Sequence, residues 1–195
     1  MKRHQTPKAH DLKPHRSPTA LLILDMLSDY RFPDGASVLR AARRIVPAVQ
    51  RLKARAKDAG LAVCYVNDNP GRWRSDLSAL LAHVMDDRSP GRDVAQALAP
   101  EKTDYVVLKP RHSAFYATPL AELLEHWGTR RLILVGVSSH QCVLFTANDA
   151  HLRRFELSIP RDCIGAAKAA DTRFALRYFE DVLNAETRSS QRIRL

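Results

Sequence analysis

At 195 residues, with 45% hydrophobic and 27% charged side chains, the chain has the size and balance of one soluble globular domain with a full core. No apolar run is long enough to cross a bilayer, so no membrane association is expected. The formal charge of +10 does not by itself make a nucleic-acid binder: Lys2, Arg3, Lys8, Lys13 and Arg16 crowd one end, Arg188, Arg192 and Arg194 the other, and no basic motif with interleaved aromatics lies between them.

Residues 1–18 carry three prolines and little that is apolar, which predicts a flexible basic arm with no signal-peptide core. One domain over 19–195 follows. Thr19 to Leu24 reads as a first strand buried on both faces, ended by Asp25. From Ser37 to Ala59 the apolar positions Val38, Ala42, Ile45, Val49, Leu52 and Ala56 alternate steps of four and three, predicting an amphipathic helix with a kink or restart at Pro47 and Gly60 as its stop. Leu61 to Val66 is a second strand, with Cys64 in the core. A polar loop follows, from Asn67 through Arg72, Trp73 and Arg74. Asp76 to Met85 and Arg92 to Leu98 read as helices.

Tyr105 to Leu108 is a third strand with Lys109 at its end. Thr118 and Pro119 predict the start of a helix whose buried face is Leu120, Leu123, Leu124 and Trp127. Leu132 to Val135 is a fourth strand, closed by Gly136 and a short polar turn. Cys142 then opens a helix with Val143, Ala147 and Ala150 on one stripe. Phe155 to Ile159 is a fifth strand, Lys168 to Leu183 a helix, and Glu186 to Ser189 a short sixth strand. Strands alternating with helices predict an α/β fold with a mostly parallel sheet between two helical layers.

A cysteine at a strand-to-helix junction has two readings. It is a small buried residue, or it is a nucleophile whose thiolate is favoured by the N–H groups and dipole of the helix start. Asp25 and Lys109 bear on the choice. Parallel strands bring their C-terminal ends to one edge, where open α/β sheets place their sites. An acid, an amine and a thiol converging there can transfer the thiol proton and hold the resulting charges. Three scattered cysteines, Cys64, Cys142 and Cys163, also argue against a disulfide framework and for a reducing, cytoplasmic setting.

Three stretches carry a resemblance: ALLILDMLSDY at 20–30, LKPRHSAFYATPL at 108–120, and LVGVSSHQCVLFTANDAHLRRFELSIPRDC at 134–163. With them the chain resembles the isochorismatase-like cysteine hydrolases, which include nicotinamidases and N-carbamoylsarcosine amidase. The resemblance implies a six-stranded sheet in the order 3-2-1-4-5-6, a homo-oligomer (dimer or tetramer), and a catalytic triad of Asp25, Lys109 and Cys142. It also implies a cis peptide at Val137–Ser138 and an oxyanion hole formed by the backbone N–H groups of Ser138 and Cys142. The implied reaction is hydrolysis of an amide, ureido or carbamoyl C–N bond of a small molecule through a thioester. Vinyl ether hydrolysis, or a non-catalytic binding module using the arm, are the alternatives.

Nicotinamidases bind a divalent metal through Asp-x-His with a second His nearby. This chain has Asn67-Asp68-Asn69-Pro70 in that place, so no metal and no other cofactor is expected. Candidate substrate contacts are Trp73 and Phe115 for packing, with Trp73 equally readable as a loop anchor, and Asn67, Arg72 and Arg74 for polar groups. His112 either lines the pocket or packs at its rim, and His140 is read as a surface turn residue.

Overall fold

The structure, a computed structural model, describes residues 16–69 and 76–195. Six strands and six α-helices follow in the order β1 (Thr19–Leu24), α1 (Gly35–Asp58), β2 (Ala62–Asp68), α2 (Leu77–Val84), α3 (Arg92–Ala97), β3 (Tyr105–Lys109), α4 (Leu120–Trp127), β4 (Arg131–Val137), α5 (Leu144–Leu152), β5 (Glu156–Ser158), β6 (Ile164–Gly165) and α6 (Ala169–Asp181). A π-helical turn, Ser139–Val143, joins β4 to α5.

The apolar runs of β1 and β4 are buried on both faces because helices cover both sides of the sheet. Leu21, Ile23, Val63, Tyr65, Ile133 and Val135 face α1, α2 and α3. Ala20, Leu22, Leu24, Cys64, Leu132 and Leu134 face α4, α5 and α6. All pairings are parallel, in the order β3-β2-β1-β4-β5. The three-layer α/β architecture is therefore as the sequence implies.

The sixth strand is elsewhere than expected. β6 is Ile164–Gly165 and pairs with Gly136 and Val137 of β4, beyond the point where β5 has left it. Glu186 makes one parallel bridge to Ser158 and no strand. Pro160 bears on where β6 pairs: the N–H it lacks falls on the β4 side of β5, where Glu156 N–H donates to Arg130 O, so β5 leaves β4 there and the edge of β4 beyond it is open to β6.

Two smaller expectations also change. Helix α1 runs without a restart through Pro47, its buried stripe continuing in Ala48, Val49 and Leu52. The arm does not extend to residue 18. Ser17 is buried, its hydroxyl accepts from Ala62 N (2.8 Å) and its carbonyl accepts from the Thr129 hydroxyl (2.7 Å), so the chain is fastened to the sheet from there. The rest of the arm lies outside the described residues.

Candidate active site

Asp25 leaves β1 in the left-handed region (φ 51°), while its N–H still donates to Val66 O at 3.0 Å. The backbone thus turns away from the strand direction without losing its tie to β2. The carboxylate Oδ1 accepts the backbone N–H of Asp68 at 2.8 Å. Lys109, the last residue of β3, is fully buried. Its Nζ lies 2.8 Å from Asp25 Oδ2, 2.5 Å from Asp68 Oδ1 and 3.5 Å from Cys142 Sγ. Burying an ammonium is tolerable only with such partners.

Gly136 lets β4 reach this centre. Its φ is 123°, and a Cβ there would sit 2.0 Å from Leu24 O. Only glycine allows that approach. The Val137–Ser138 peptide that follows is cis. Cys142 then falls in the π-helical turn leading into α5, between Gln141 and Val143, whose N–H groups both donate to Ser138 O (3.0 and 3.3 Å).

The environment of the sulfur opposes its charge. Burial, and then the Asp25 charge, push the Cys142 thiol well above its ordinary value, with Lys109 only opposing them. Burial here works against the thiolate that a helix start favours. Burial likewise raises the Asp25 carboxyl, against the pull of Lys109. Burial alone would lower Lys109, but the charges of Asp25, Cys142 and Asp68 outweigh it and hold the ammonium charged. Cys64 and Cys163, fully buried, are each pushed up to about 12 by burial.

A cavity of about 670 Å³ opens over this cluster. Asn67, His112 and the turn residue Ser138 line it together with the three charged groups and the thiol. Asn67 is buried and donates to Leu27 O at 2.9 Å. His112 Nδ1 is 3.7 Å from Cys142 Sγ, and its ring rests against Phe145 at 5.4 Å, so it lines the pocket beside the sulfur. His140 is not in the cavity wall and faces Asp171 at 3.9 Å.

Phe115 is not among the residues that line this cavity. It is buried in the α4–α6 core, stacked on Phe155 at 6.0 Å with the Arg153 guanidinium 5.0 Å from its ring centre. The turn at Ser113–Ala117 carries the ring inward, away from the cavity. Arg72, Trp73 and Arg74 lie outside the described residues.

The sequence reading missed the engagement of Asp68 with Lys109, the Asp29–His83 pair in the cavity wall (2.8 Å), and the roles of Thr146 and Asp149. Asp149 accepts from the Ser113 hydroxyl, and Thr146 Oγ1 accepts the Ala114 N–H at 3.0 Å. These bonds fix the segment carrying His112 onto α5. Thr146→Val should leave that buried N–H unpaired, at a cost of about 1–3 kcal/mol, read as a lower urea midpoint with an unchanged slope.

The nicotinamidase type of metal site does not fit. Asp68 is committed to Lys109, its neighbours are amides, and among the described residues no group of three or more His, Cys, Asp or Glu is placed to hold an ion.

Comparisons with known proteins agree with this architecture. The isochorismatase domain family model matches residues 19–191. The chain is 38% identical over 174 residues to the uncharacterized isochorismatase family protein YaaI of Bacillus subtilis, covering 89% of this chain and 95% of that one. It is 34% identical over 155 residues to maleamate amidohydrolase of Pseudomonas putida, covering 75% and 71%. The crystal structure of N-carbamoylsarcosine amidase from Thermoplasma acidophilum superposes with a TM-score of 0.69 at 25% identity, covering 91% and 99%. With the family model spanning the whole sheet and every strand that ends at the cavity, the chain belongs to the isochorismatase family and is a hydrolase.

Proposed function

We propose that the chain is a cysteine hydrolase that cleaves an amide, ureido or carbamoyl C–N bond of a small molecule, with Asp25, Lys109 and Cys142 as its catalytic residues. One observation carries the reading: a fully buried ammonium touches both a buried carboxylate and the only cysteine in the cavity wall among the described residues. Asp25 takes the thiol proton as the sulfur attacks the carbonyl carbon. The backbone N–H groups of Ser138 and Cys142 hold the developing oxyanion. As the C–N bond breaks, Asp25 returns the proton to the leaving nitrogen. It then draws a proton from water, which attacks the thioester and releases the acid and the thiol. A carboxyl raised above its usual range suits this alternation between base and acid.

A cysteine nucleophile favours C–N over vinyl ether cleavage, and the likeness to maleamate amidohydrolase points the same way. Asn67 and His112 contact the substrate, and a homo-oligomer is the working form. The test is ammonia release from a panel of small amides, ureido acids and carbamoyl compounds, with a vinyl ether alongside. At least one nitrogen class should turn over, and Cys142→Ala should lower that rate by about 10⁴-fold or more. Full activity in that variant, or turnover of the vinyl ether alone, would refute the reading.

A further inference from the structure

Asp68 has no place in the triad, yet it is bound to two members of it. It is the last residue of β2 and is in register with Lys109, the last of β3. Partnered residues of adjacent parallel strands project to the same side of the sheet. The Asp68 carboxylate accordingly meets Lys109 Nζ at 2.5 Å, and its N–H holds Asp25 Oδ1 at 2.8 Å. One ammonium therefore serves two carboxylates, of which Asp25 is nearly buried (13% exposed) and Asp68 open to the cavity (69%).

This sharing has a chemical consequence. A cation paired with one carboxylate stabilises its anion and makes it a poor base. A second carboxylate on the same cation weakens that effect and adds its own repulsion. We propose that Asp68 is a positioning residue of the site: it shares the Lys109 ammonium with Asp25 and so keeps Asp25 able to exchange a proton with Cys142. The role rests on the hydrolase reading for its purpose, but the electrostatic coupling is measurable without any substrate.

The charged and titratable groups around Cys142 and Asp25 come from every element that borders the cavity. Asp29, Tyr30 and Arg31 follow β1, Asp68 ends β2, and His83 lies on α2. Lys109, Arg111 and His112 end or follow β3. Asp29 is paired with His83, and His112 stands 3.7 Å from the sulfur. All of these except Asp68 are unchanged in an Asp68→Asn variant, so a difference from wild type isolates Asp68. The sign follows from its negative charge, which raises both the Asp25 carboxyl and the Cys142 thiol. Removing that charge should lower both.

The experiment follows the pH dependence of Cys142 alkylation by iodoacetamide on the full chain, located by peptide mass spectrometry, with Cys64 and Cys163 as buried references. Relative to wild type, Asp68→Asn should move the inflection to lower pH by about half to one unit. That makes Cys142 about three- to tenfold more reactive at a fixed pH below it. Asp68→Glu should stay near wild type, and circular dichroism should show both variants folded. A merely structural Asp68 would lower reactivity or leave it alone without moving the inflection. An inflection unmoved or moved upward in folded Asp68→Asn overturns the proposal. If the inflection moves down as expected while no compound of the panel turns over, the coupling stands and the proposed C–N cleavage falls.

Discussion

Replacing Lys109 with methionine is expected to lower turnover by about 10³–10⁴-fold and to cost about 3–5 kcal/mol of stability at neutral pH. Methionine fills much of the same volume, so the loss measures charge more than packing. The buried ammonium is the only cation within 4 Å of Asp25 among the described residues, and it lies 3.5 Å from the sulfur. Without it the Asp25 carboxylate is buried beside Asp68 with no cation to offset its charge, and the thiolate loses the ammonium that favours it.

The pH dependence separates this cause from simple misfolding. In the wild-type chain the raised Lys109 contributes stability that is present below 10.5, its ordinary value, and is lost only as pH rises through its still higher folded value. In the variant, Asp25 loses the interaction that opposed burial and rises further from its ordinary 3.8. A carboxyl raised by folding contributes stability below that ordinary value and loses it as pH rises through the folded one. The deficit should therefore be smallest near about pH 4 and grow toward about pH 8 in urea titrations. An equal deficit across that range would mean that lost packing, not an unpaired carboxylate, explains the cost.

The parts of the site legible in the sequence are those that lie at the ends of apolar strands. Asp25, Lys109 and Cys142 each terminate a run of buried residues or follow its turn, and the parallel topology does the rest. What was not legible depends on register or on the direction of a turn. Asp68 stood in the sequence only as part of a motif lacking its histidines. Its role appears once β2 is seen to run two residues past Val66, which brings it opposite Lys109. Phe115 follows Lys109 by six positions in an irregular segment, and nothing local says which way such a segment folds. Strand β6 is two residues long, too short for any periodicity. The raised thiol was not legible either, because a helix start is visible in sequence, whereas burial is a property of the whole fold.

Asp25→Asn should remove turnover to a similar degree, about 10³–10⁴-fold, but should raise the melting temperature instead of lowering it. The carboxyl is raised in the folded state because burial outweighs the help of Lys109. Its favourable contribution therefore exists only below the ordinary 3.8 and is gone once pH has risen through the folded value, leaving the neutral-pH anion as a net cost. Asparagine keeps an oxygen to accept the Asp68 N–H, and Lys109 keeps Asp68 as its counter-charge. The gain in melting temperature should be larger at about pH 8 than at about pH 5, because the wild-type cost grows as Asp25 ionises. A variant less stable than wild type at the higher pH would show that the ion pair, not the desolvated charge, dominates this position. The opposite signs expected for Lys109→Met and Asp25→Asn have one source. The site holds a carboxylate in a place that disfavours its charge, and the ammonium is what makes that tolerable. A base kept in such a place gives up its charge readily to a proton, which is what taking a proton from a buried thiol and passing it to a leaving nitrogen requires.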